Sequence, residues 1–241
     1  MNNYNINYPT QGTQELSTTK TFISAVFAWM SLALVLTAAV AYWFGTNVEM
    51  ISYLINLETG KMNVLGWVVM LAPLGFVLTM SFAFQRFSFA LLALFFMLYS
   101  LFTGMSLSFI FLVYSQASIA TTFIASAGMF GLMALVGYTT KTDLTSFGRI
   151  MTMGLIGIVI ASLINMFVGS STMDYIISSI GVLVFTGLTA YDVQKIKRVG
   201  AGVEYGTQMA AKLSIMGALT LYLDFINLFL MLLRLFGDRR D

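Results

Sequence analysis

The chain contains no cysteine and no histidine among its 241 residues. Disulfide bonds, thiol catalysis, metal sites built from thiolates or imidazoles, and acid–base catalysis by histidine are therefore excluded. Charged residues are also scarce, because they make up 9% of the chain against roughly 25% in soluble proteins. Any ionisable or ion-binding chemistry must come from six Asp, four Glu, hydroxyl groups and backbone carbonyls.

Apolar residues are what the chain has in excess. They make up 59% of the sequence, and the mean hydropathy of +0.87 lies outside the range of soluble globular proteins. The composition predicts an all-α integral membrane protein, whose main partner is the lipid bilayer. A net charge of +2 and the lack of a basic tract argue against a nucleic-acid partner.

Seven apolar segments are long enough to cross a bilayer, whose core of about 30 Å needs roughly 20 helical residues. The polar start of the chain lacks the features of a signal peptide and predicts a disordered cytoplasmic tail at 1–20. One seven-helix domain is predicted over 21–237, followed by a polar tail at 238–241. The predicted spans are Thr21–Phe44, Val64–Phe84, Phe87–Leu107, Ala117–Tyr138, Ser146–Val168, Tyr175–Val193 and Ala210–Phe236.

Lysine and arginine are unequally distributed between the two sides of the predicted bundle. With seven spans, eight of them fall on the side of the N-terminus and four on the other side, which predicts a cytoplasmic N-terminus. A re-entrant last segment would instead bring Arg234, Arg239 and Arg240 to the N-terminal side. Because Ala210–Phe236 is long enough to span comfortably, the seven-span topology is favoured.

Asp224 lies near the middle of the last apolar segment. A carboxylate at a helix centre costs about 2.5–3.5 kcal/mol on insertion scales, so it normally faces the bundle interior. Two interpretations stay open: an ion or proton path, or a hydrogen-bond acceptor that only joins helices. Steps of three and four residues mark a small or polar face, which predicts a helix enclosed by the other six. That face comprises Gly217, Thr220, Asp224, Asn227 and Met231.

Asp192 and Arg86 are ambiguous when each is taken alone. A basic run follows Asp192, so this residue fits an ordinary carboxylate at a helix end as well as a site residue. Arg86 fits a simple turn residue, although it falls on the same side as Asp192. Asn165 is a candidate for capping or bridging helices. The GxGD sequence of intramembrane aspartyl proteases and the common nucleotide-binding and hydrolase motifs are absent, so no enzyme is predicted.

Two motifs carry a resemblance to a known family. GLTAYDVQKIK (187–197), followed by LTLYLDFINLFLMLLRLFG (219–237), resembles the Bax inhibitor-1 family, also called transmembrane Bax inhibitor motif proteins. The similarity covers nearly the whole chain and includes FTGMSLSFIF, FGLMALVGYTTKTDL and ASLINMF. It implies seven helices with the last one central, a buried aspartate pair matching Asp192 and Asp224, and an arginine latch matching Arg86. Because the segment 194–219 is longer than in compact bacterial members, spacing alone does not bring the two aspartates together.

The resemblance also implies a function. Bacterial members are similar to pH-sensitive calcium leak channels, so we expect a cation leak in a bacterial plasma (inner) membrane, with calcium as permeant ion and no cofactor. Asp192 and Asp224 would share a proton and bind calcium transiently. Asn227, Thr220 and Asn165 would line the path or surround the pair. The alternative is an interaction protein that modulates a membrane-anchored ATP-dependent quality-control protease without conducting ions.

Overall fold

A computed structural model describes residues 11–204 and 206–239, with side chains from Thr19 onward. Within these residues the chain forms helices joined by short turns, and paired backbone outside them is limited to two isolated bridges. The helices are α1 (Gln11–Thr46), α2 (Val48–Ser52), α3 (Val64–Ala83), α4 (Phe89–Leu107), α5 (Ile110–Val113), α6 (Gln116–Thr139), α7 (Thr145–Val168), α8 (Ser171–Gly202) and α9 (Gln208–Phe236).

Seven helices of the described chain are long and apolar enough to cross a membrane, as predicted. They are α1, α3, α4, α6, α7, α8 and α9, while α2 and α5 are short helices at one end of the bundle. Successive long helices run in opposite directions, because each connection between them begins and ends at the same end of the bundle. We call the end that carries the 140–144 and 203–207 loops the basic end, and the opposite one the far end.

Helix α9 lies at the centre of the bundle, and α8 shares that position. Of the residues in the apolar stretch, 67% are buried in α9 and 61% in α8, against 11% in α7. Helix α9 packs against α1, α4, α6 and α8, whereas α3 packs on α4 and α7 packs on α8. The prediction of a central last helix is therefore confirmed, but four helices rather than six make its main contacts.

Two helices extend beyond their predicted ends. Helix α1 begins at Gln11, so the described half of the segment 1–20 is helical rather than a disordered tail, and residues 1–10 lie outside the described residues. Helix α8 runs to Gly202, nine residues past the predicted end at Val193. The basic run after Asp192 is thus the last part of a helix and not a loop.

The residues after α9 fix its far end. The backbone N–H of Asp238 donates to the Ser118 hydroxyl at 2.9 Å, and its carbonyl accepts from the N–H of Ser115 at 3.1 Å. Tyr114 and Arg239 form an antiparallel bridge at the same place. The described part of the predicted tail 238–241 is therefore bound to the start of α6. Helix α9 crosses the whole bundle, which excludes the re-entrant alternative.

Close contact between helices depends on glycine at a few positions. A Cβ atom on Gly137 of α6 would lie 2.1 Å from the carbonyl oxygen of Ala190 in α8. Only a residue without a side chain allows this approach of two backbones. Because Ala190 lies two residues before Asp192, the contact also determines how closely α6 packs beside the aspartate.

The first prediction concerns this contact. Gly137→Ala should lower the thermal unfolding midpoint of the full chain in detergent, because the new methyl group must push α6 from α8 at a cost of about 1–3 kcal/mol. Gly131→Ala on the same helix is the matched control, since a Cβ atom there meets no atom within 4 Å. It should leave the midpoint unchanged or raise it through better helix propensity. Equal midpoints for the two variants would contradict the close α6–α8 contact.

Candidate functional site

Asp192 on α8 and Asp224 on α9 lie side by side on the axis of the bundle. Their side chains are 8% and 5% exposed, and the two carboxyl groups lie within hydrogen-bonding reach of each other. The pair expected from the resemblance is thus brought together in the fold. Its members lie 32 positions apart in the sequence and on two different helices.

The antiparallel arrangement of α8 and α9 explains how the two carboxyl groups meet. Asp192 lies about 15 Å before the end of α8, whereas Asp224 lies about 24 Å from the start of α9, at 1.5 Å per residue. Side chains lean toward the N-terminus of their own helix. Asp192 therefore leans toward the far end and Asp224 toward the basic end. These opposite tilts shorten the distance along the bundle axis between the two carboxyl groups. The last turns of α8 place the loop that joins α8 to α9 beyond the pair.

The pair has few other polar contacts. The Oδ2 atom of Asp224 is fully buried and accepts no hydrogen bond from an N–H or O–H group of the described residues. Two carboxylates in contact cannot both ionise cheaply in such an environment. A single proton held between them supplies the missing hydrogen bond and removes one of the two charges. The arrangement is therefore chemically suited to hold one exchangeable proton inside the membrane.

Charged groups around the pair come mainly from α8 and α9 themselves. Lys195, three residues after Asp192, acts electrostatically on that carboxyl group. Lys212 of α9 is only 8% exposed, but its Nζ atom points to the α3–α4 turn, 3.5 Å from the Gln85 carbonyl oxygen and 4.7 Å from the centroid of the Phe84 ring. Lys212 therefore interacts with this turn rather than with the aspartates.

The predicted latch between Arg86 and Asp192 is not formed in this structure. Arg86 is exposed in the α3–α4 turn and makes no ion pair with any described residue. The reason is geometric: the turn lies at the surface of the basic end, whereas Asp192 lies inside the bundle. The buried cation that reaches this turn is instead Lys212.

The three residues predicted to line the path or surround the pair have different positions. Thr220 and Asn227 lie on the same side of α9 as Asp224, but each side chain donates to the carbonyl four residues earlier in its own helix, at 3.1 and 2.8 Å. Asn165 lies at the far end, where it donates to Asp174 at 2.7 Å and holds the α7–α8 turn. Asn165 is therefore not part of the surroundings of the pair. It lines a far-end cavity of about 620 Å³.

Two side chains on α8 bind the 140–144 loop, and neither was predicted as a functional residue from the sequence. We call Gln194 and Arg198, with the loop residues they bind, the α8 clasp. Gln194 donates to the Thr142 carbonyl at 2.8 Å and accepts from the Leu144 N–H at 2.9 Å. Arg198 donates to Asp143 at 2.5 Å. Two features of the sequence could have indicated this contact: Gln194 and Arg198 are polar residues at positions i and i+4 of one helix, and Asp143 is an acidic residue just before α7.

The acidic member of the α8 clasp stays ionised over a wide pH range. The hydroxyl of Thr145, the guanidinium of Arg198 and the N–H of Thr145 donate to Asp143 and hold the pKa of its carboxyl group below the ordinary value. A lowered pKa means that the ionic contact is lost only as the pH falls through that lowered value. The clasp is therefore intact at neutral and mildly acidic pH.

Comparison with known proteins agrees with this architecture. The sequence model described as inhibitor of apoptosis-promoting Bax1 matches residues 19–241. The chain belongs to the Bax inhibitor-1 family. It is 49% identical to the inner membrane protein YbhL of Escherichia coli K12 over 222 residues, which cover 92% of this chain and 93% of that protein.

Two further relatives match over nearly their whole length. One is an uncharacterized protein of Borreliella burgdorferi, 42% identical over 232 residues, with 96% and 98% of the two chains covered. The other is uncharacterized protein RP147 of Rickettsia prowazekii, 45% identical over 220 residues, with 91% and 90% covered. The Bax inhibitor-1 membership thus applies to the whole bundle rather than to one part of it.

A permanently bound metal ion has little support in this Bax inhibitor-1 chain. Among the described residues no group of three or more acidic side chains lies close enough to hold a metal ion. Calcium prefers six to eight oxygen ligands. Asp192 and Asp224 supply two carboxyl groups at most, so a cation at the pair would be held weakly.

The second prediction concerns the α8 clasp. Gln194→Ala removes two hydrogen bonds to the loop backbone, each worth about 1 kcal/mol. Hydrogen exchange at the Leu144 amide should therefore become about thirtyfold faster. Gln116→Ala, which truncates an exposed glutamine at the start of α6, is the matched control and should leave that amide unchanged. Unchanged protection of Leu144 in Gln194→Ala would show that the loop is held by other contacts.

Proposed function

We propose that this protein is a pH-sensitive cation leak channel, with calcium as a permeant ion and the Asp192–Asp224 pair as the element that senses pH. The observation that carries the proposal is the buried Oδ2 atom of Asp224, which has no hydrogen-bond donor among the described residues while the carboxyl group of Asp192 lies within hydrogen-bonding reach of Asp224. Ionisable residues at this depth of a membrane bundle commonly mark ion or proton paths.

The shared proton supplies the switch. With one proton the pair carries a single negative charge and a hydrogen bond that joins α8 to α9. Loss of the proton adds a second charge, which drives the helices apart or attracts a cation, and gain of a second proton removes the attraction for cations. The charge of the pair therefore changes with pH, a role that histidine often has in other proteins and that no histidine can have in this chain.

Apart from Lys195, the titratable and charged groups on the helices that pack around the pair have other partners or lie toward the ends of the bundle. Lys195 on α8 is the cation that acts on Asp192. The Tyr222 hydroxyl of α9 bonds with Thr37 of α1 at 2.6 Å, and its ring packs edge-on against Tyr99 of α4. The remaining charged groups on these helices lie toward the two ends of the bundle. At the basic end they are Lys20 of α1, Arg149 of α7, Lys197 and Arg198 of α8, and Lys212 of α9; at the far end they are Asp174 of α8, which accepts from Asn165, and Arg234 of α9. Of the other phenols, Tyr138 of α6 contacts Lys197, and the ring of Tyr191 of α8 packs at Gly148 of α7.

The packing supports a closed form for the pair. Asp192 and Asp224 are almost fully buried, and neither residue lines the cavities at the two ends of the bundle. Weak cation binding by two carboxyl groups is compatible with conduction, because a permeant ion must be able to leave its site. Calcium is the favoured ion since it prefers hard oxygen ligands.

Membrane location and orientation belong to the same proposal. The relative YbhL is named an inner membrane protein, and eight lysines and arginines lie at the basic end. We therefore place this chain in a bacterial inner membrane with the basic end and the N-terminus in the cytoplasm. The alternative, a modulator of a membrane-anchored protease, has weaker support because the described part of its supposed tail is helical from Gln11.

The third prediction tests the pair. In liposomes containing only the purified protein, calcium efflux should depend on pH in the wild type. Asp224→Asn should flatten this pH profile, because an amide can hydrogen-bond to Asp192 but cannot exchange the shared proton. Asp192→Asn should act in the same way. The measurement is the rate of calcium efflux between mildly acidic and mildly alkaline pH.

Glu58→Gln is the matched control, since it neutralises an exposed carboxylate in the α2–α3 connection. It should keep the wild-type profile. Both aspartate variants must keep the thermal unfolding midpoint within a few degrees to show that they remain folded. A wild-type pH profile in either variant would disprove the shared-proton switch. Absence of any calcium efflux from wild-type liposomes would favour the interaction protein instead.

A further inference from the structure

A basic cavity lies at the basic end, between the start of α1, the end of α6 and the last turns of α8. Its volume is about 370 Å³. Four cationic side chains contribute to its wall: Lys20, Lys141, Lys197 and Arg198. The remaining lining residues are neutral, namely Thr19, Tyr138, Thr140, Gln194 and Ala201.

The positive charges of this cavity are poorly balanced by the protein. Arg198 and Asp143 form the sole ion pair among the described residues. Lys197 donates to the Tyr138 carbonyl at 2.7 Å and lies 4.9 Å from the centroid of that ring, so its partners are neutral. Lys20 and Lys141 are exposed and form no ion pair with an acidic side chain that the structure describes. Like charges so close together repel one another, and an anion between them would relieve that repulsion.

The depth of the cavity points to the source of the anion. The apolar span of α1 begins at Thr19 and that of α6 ends at Thr139, so the cavity lies where the lipid headgroups meet the helices. The Lys197 side chain also extends from a membrane helix toward this boundary, as lysines near helix ends commonly do. Basic pockets between helices at a membrane surface are typical sites for anionic headgroups.

Helices α1 and α6 leave an opening for the rest of such a lipid. Both pack on α8 and α9, but they do not pack extensively on each other. A lipid whose phosphate occupied the cavity could therefore extend its acyl chains into the bilayer between α1 and α6. A soluble anion would gain no comparable contact.

We propose that this cavity binds the phosphodiester headgroup of an anionic phospholipid. Lys20 and Lys141 approach the phosphate from α1 and from the loop after α6, while Lys197 supplies the charge from α8. Arg198 keeps its contact with Asp143, so the α8 clasp stays closed when the lipid is bound. The bound lipid would then join α1, α6 and α8 at the basic end by charge–charge contacts.

Native mass spectrometry of the full chain in detergent tests the proposal. During titration with phosphatidylglycerol or phosphatidylcholine, the wild type should retain one phosphatidylglycerol in clear preference to phosphatidylcholine. Lys20→Gln/Lys141→Gln should weaken phosphatidylglycerol binding by about tenfold or more, because each cation near a headgroup contributes substantially to the attraction. Both lysines are exposed and form no ion pair with a described side chain, so the thermal unfolding midpoint should not change.

Arg86→Gln/Arg149→Gln is the matched control. It removes the same charge from the same end of the bundle, but neither residue lines the cavity. The control should bind phosphatidylglycerol as the wild type does. Equal losses in the two double variants would mean that surface charge rather than the cavity attracts the lipid, and this would overturn the proposal. A wild type without preference for phosphatidylglycerol would overturn it as well.

A separate experiment distinguishes the lipid from soluble phosphates, which share its chemistry. Millimolar inorganic phosphate or glycerol 3-phosphate is added to the complex with phosphatidylglycerol. We expect the lipid to remain bound, because its acyl chains add contacts that the soluble anions lack. Complete displacement by either anion would show that the cavity takes a soluble phosphate compound, and the lipid proposal would be wrong.

Discussion

A carboxyl group costs about 2.5–3.5 kcal/mol at the centre of a membrane helix, and this bundle holds two of them in contact. Neither Asp192 nor Asp224 can face lipid, so both helices that carry them must be covered by others. Burial of α8 and α9 to a similar extent follows from this constraint. The outer helices are arranged around a pair of helices rather than around a single central one.

Covering two adjacent helices requires small residues where they meet their neighbours. Gly137 of α6 lets that helix approach the backbone of α8 at Ala190. Within α8 itself, a Cβ atom on Gly181 would lie 2.8 Å from Met231 of α9, and one on Gly187 would lie 2.7 Å from Met151 of α7. Methionine adapts to such irregular gaps because its side chain is flexible. The glycines therefore let α8 pack against three helices and still present Asp192 to α9.

Hydropathy was sufficient to predict the seven spans, because a membrane helix must be apolar over a fixed length. It failed at the end of α8, where the polar segment after Val193 continues the helix beyond the bilayer core. Composition cannot distinguish an exposed helical turn from a loop. The same error made the spacing of Asp192 and Asp224 seem too large for contact, and only the family resemblance brought the two residues together.

Side-chain contacts between distant parts of the chain were the least predictable. The resemblance predicted a latch from Arg86, but this structure places Arg86 at the surface, with Lys212 reaching the same turn from the central helix. The α8 clasp depends on Gln194 meeting a loop fifty residues earlier, and no periodicity in the sequence reports such a contact. Hydropathy patterns predict which face of a helix is buried, but not which polar group lies opposite.

The polar residues of α8 are divided between two faces, and this division connects the clasp to the aspartate pair. At about 100° per residue, Gln194 lies about 160° and Arg198 about 120° around α8 from Asp192, so both point away from it. Asp192 faces α9 while Gln194 and Arg198 bind the 140–144 loop. A rotation of α8 large enough to separate Asp192 from Asp224 would therefore also strain the clasp. Because Asp143 stays ionised at neutral and mildly acidic pH, the clasp would resist this rotation equally across that range. In the proposed switch, a pH change therefore acts on α8 through the aspartate pair and not through the loop.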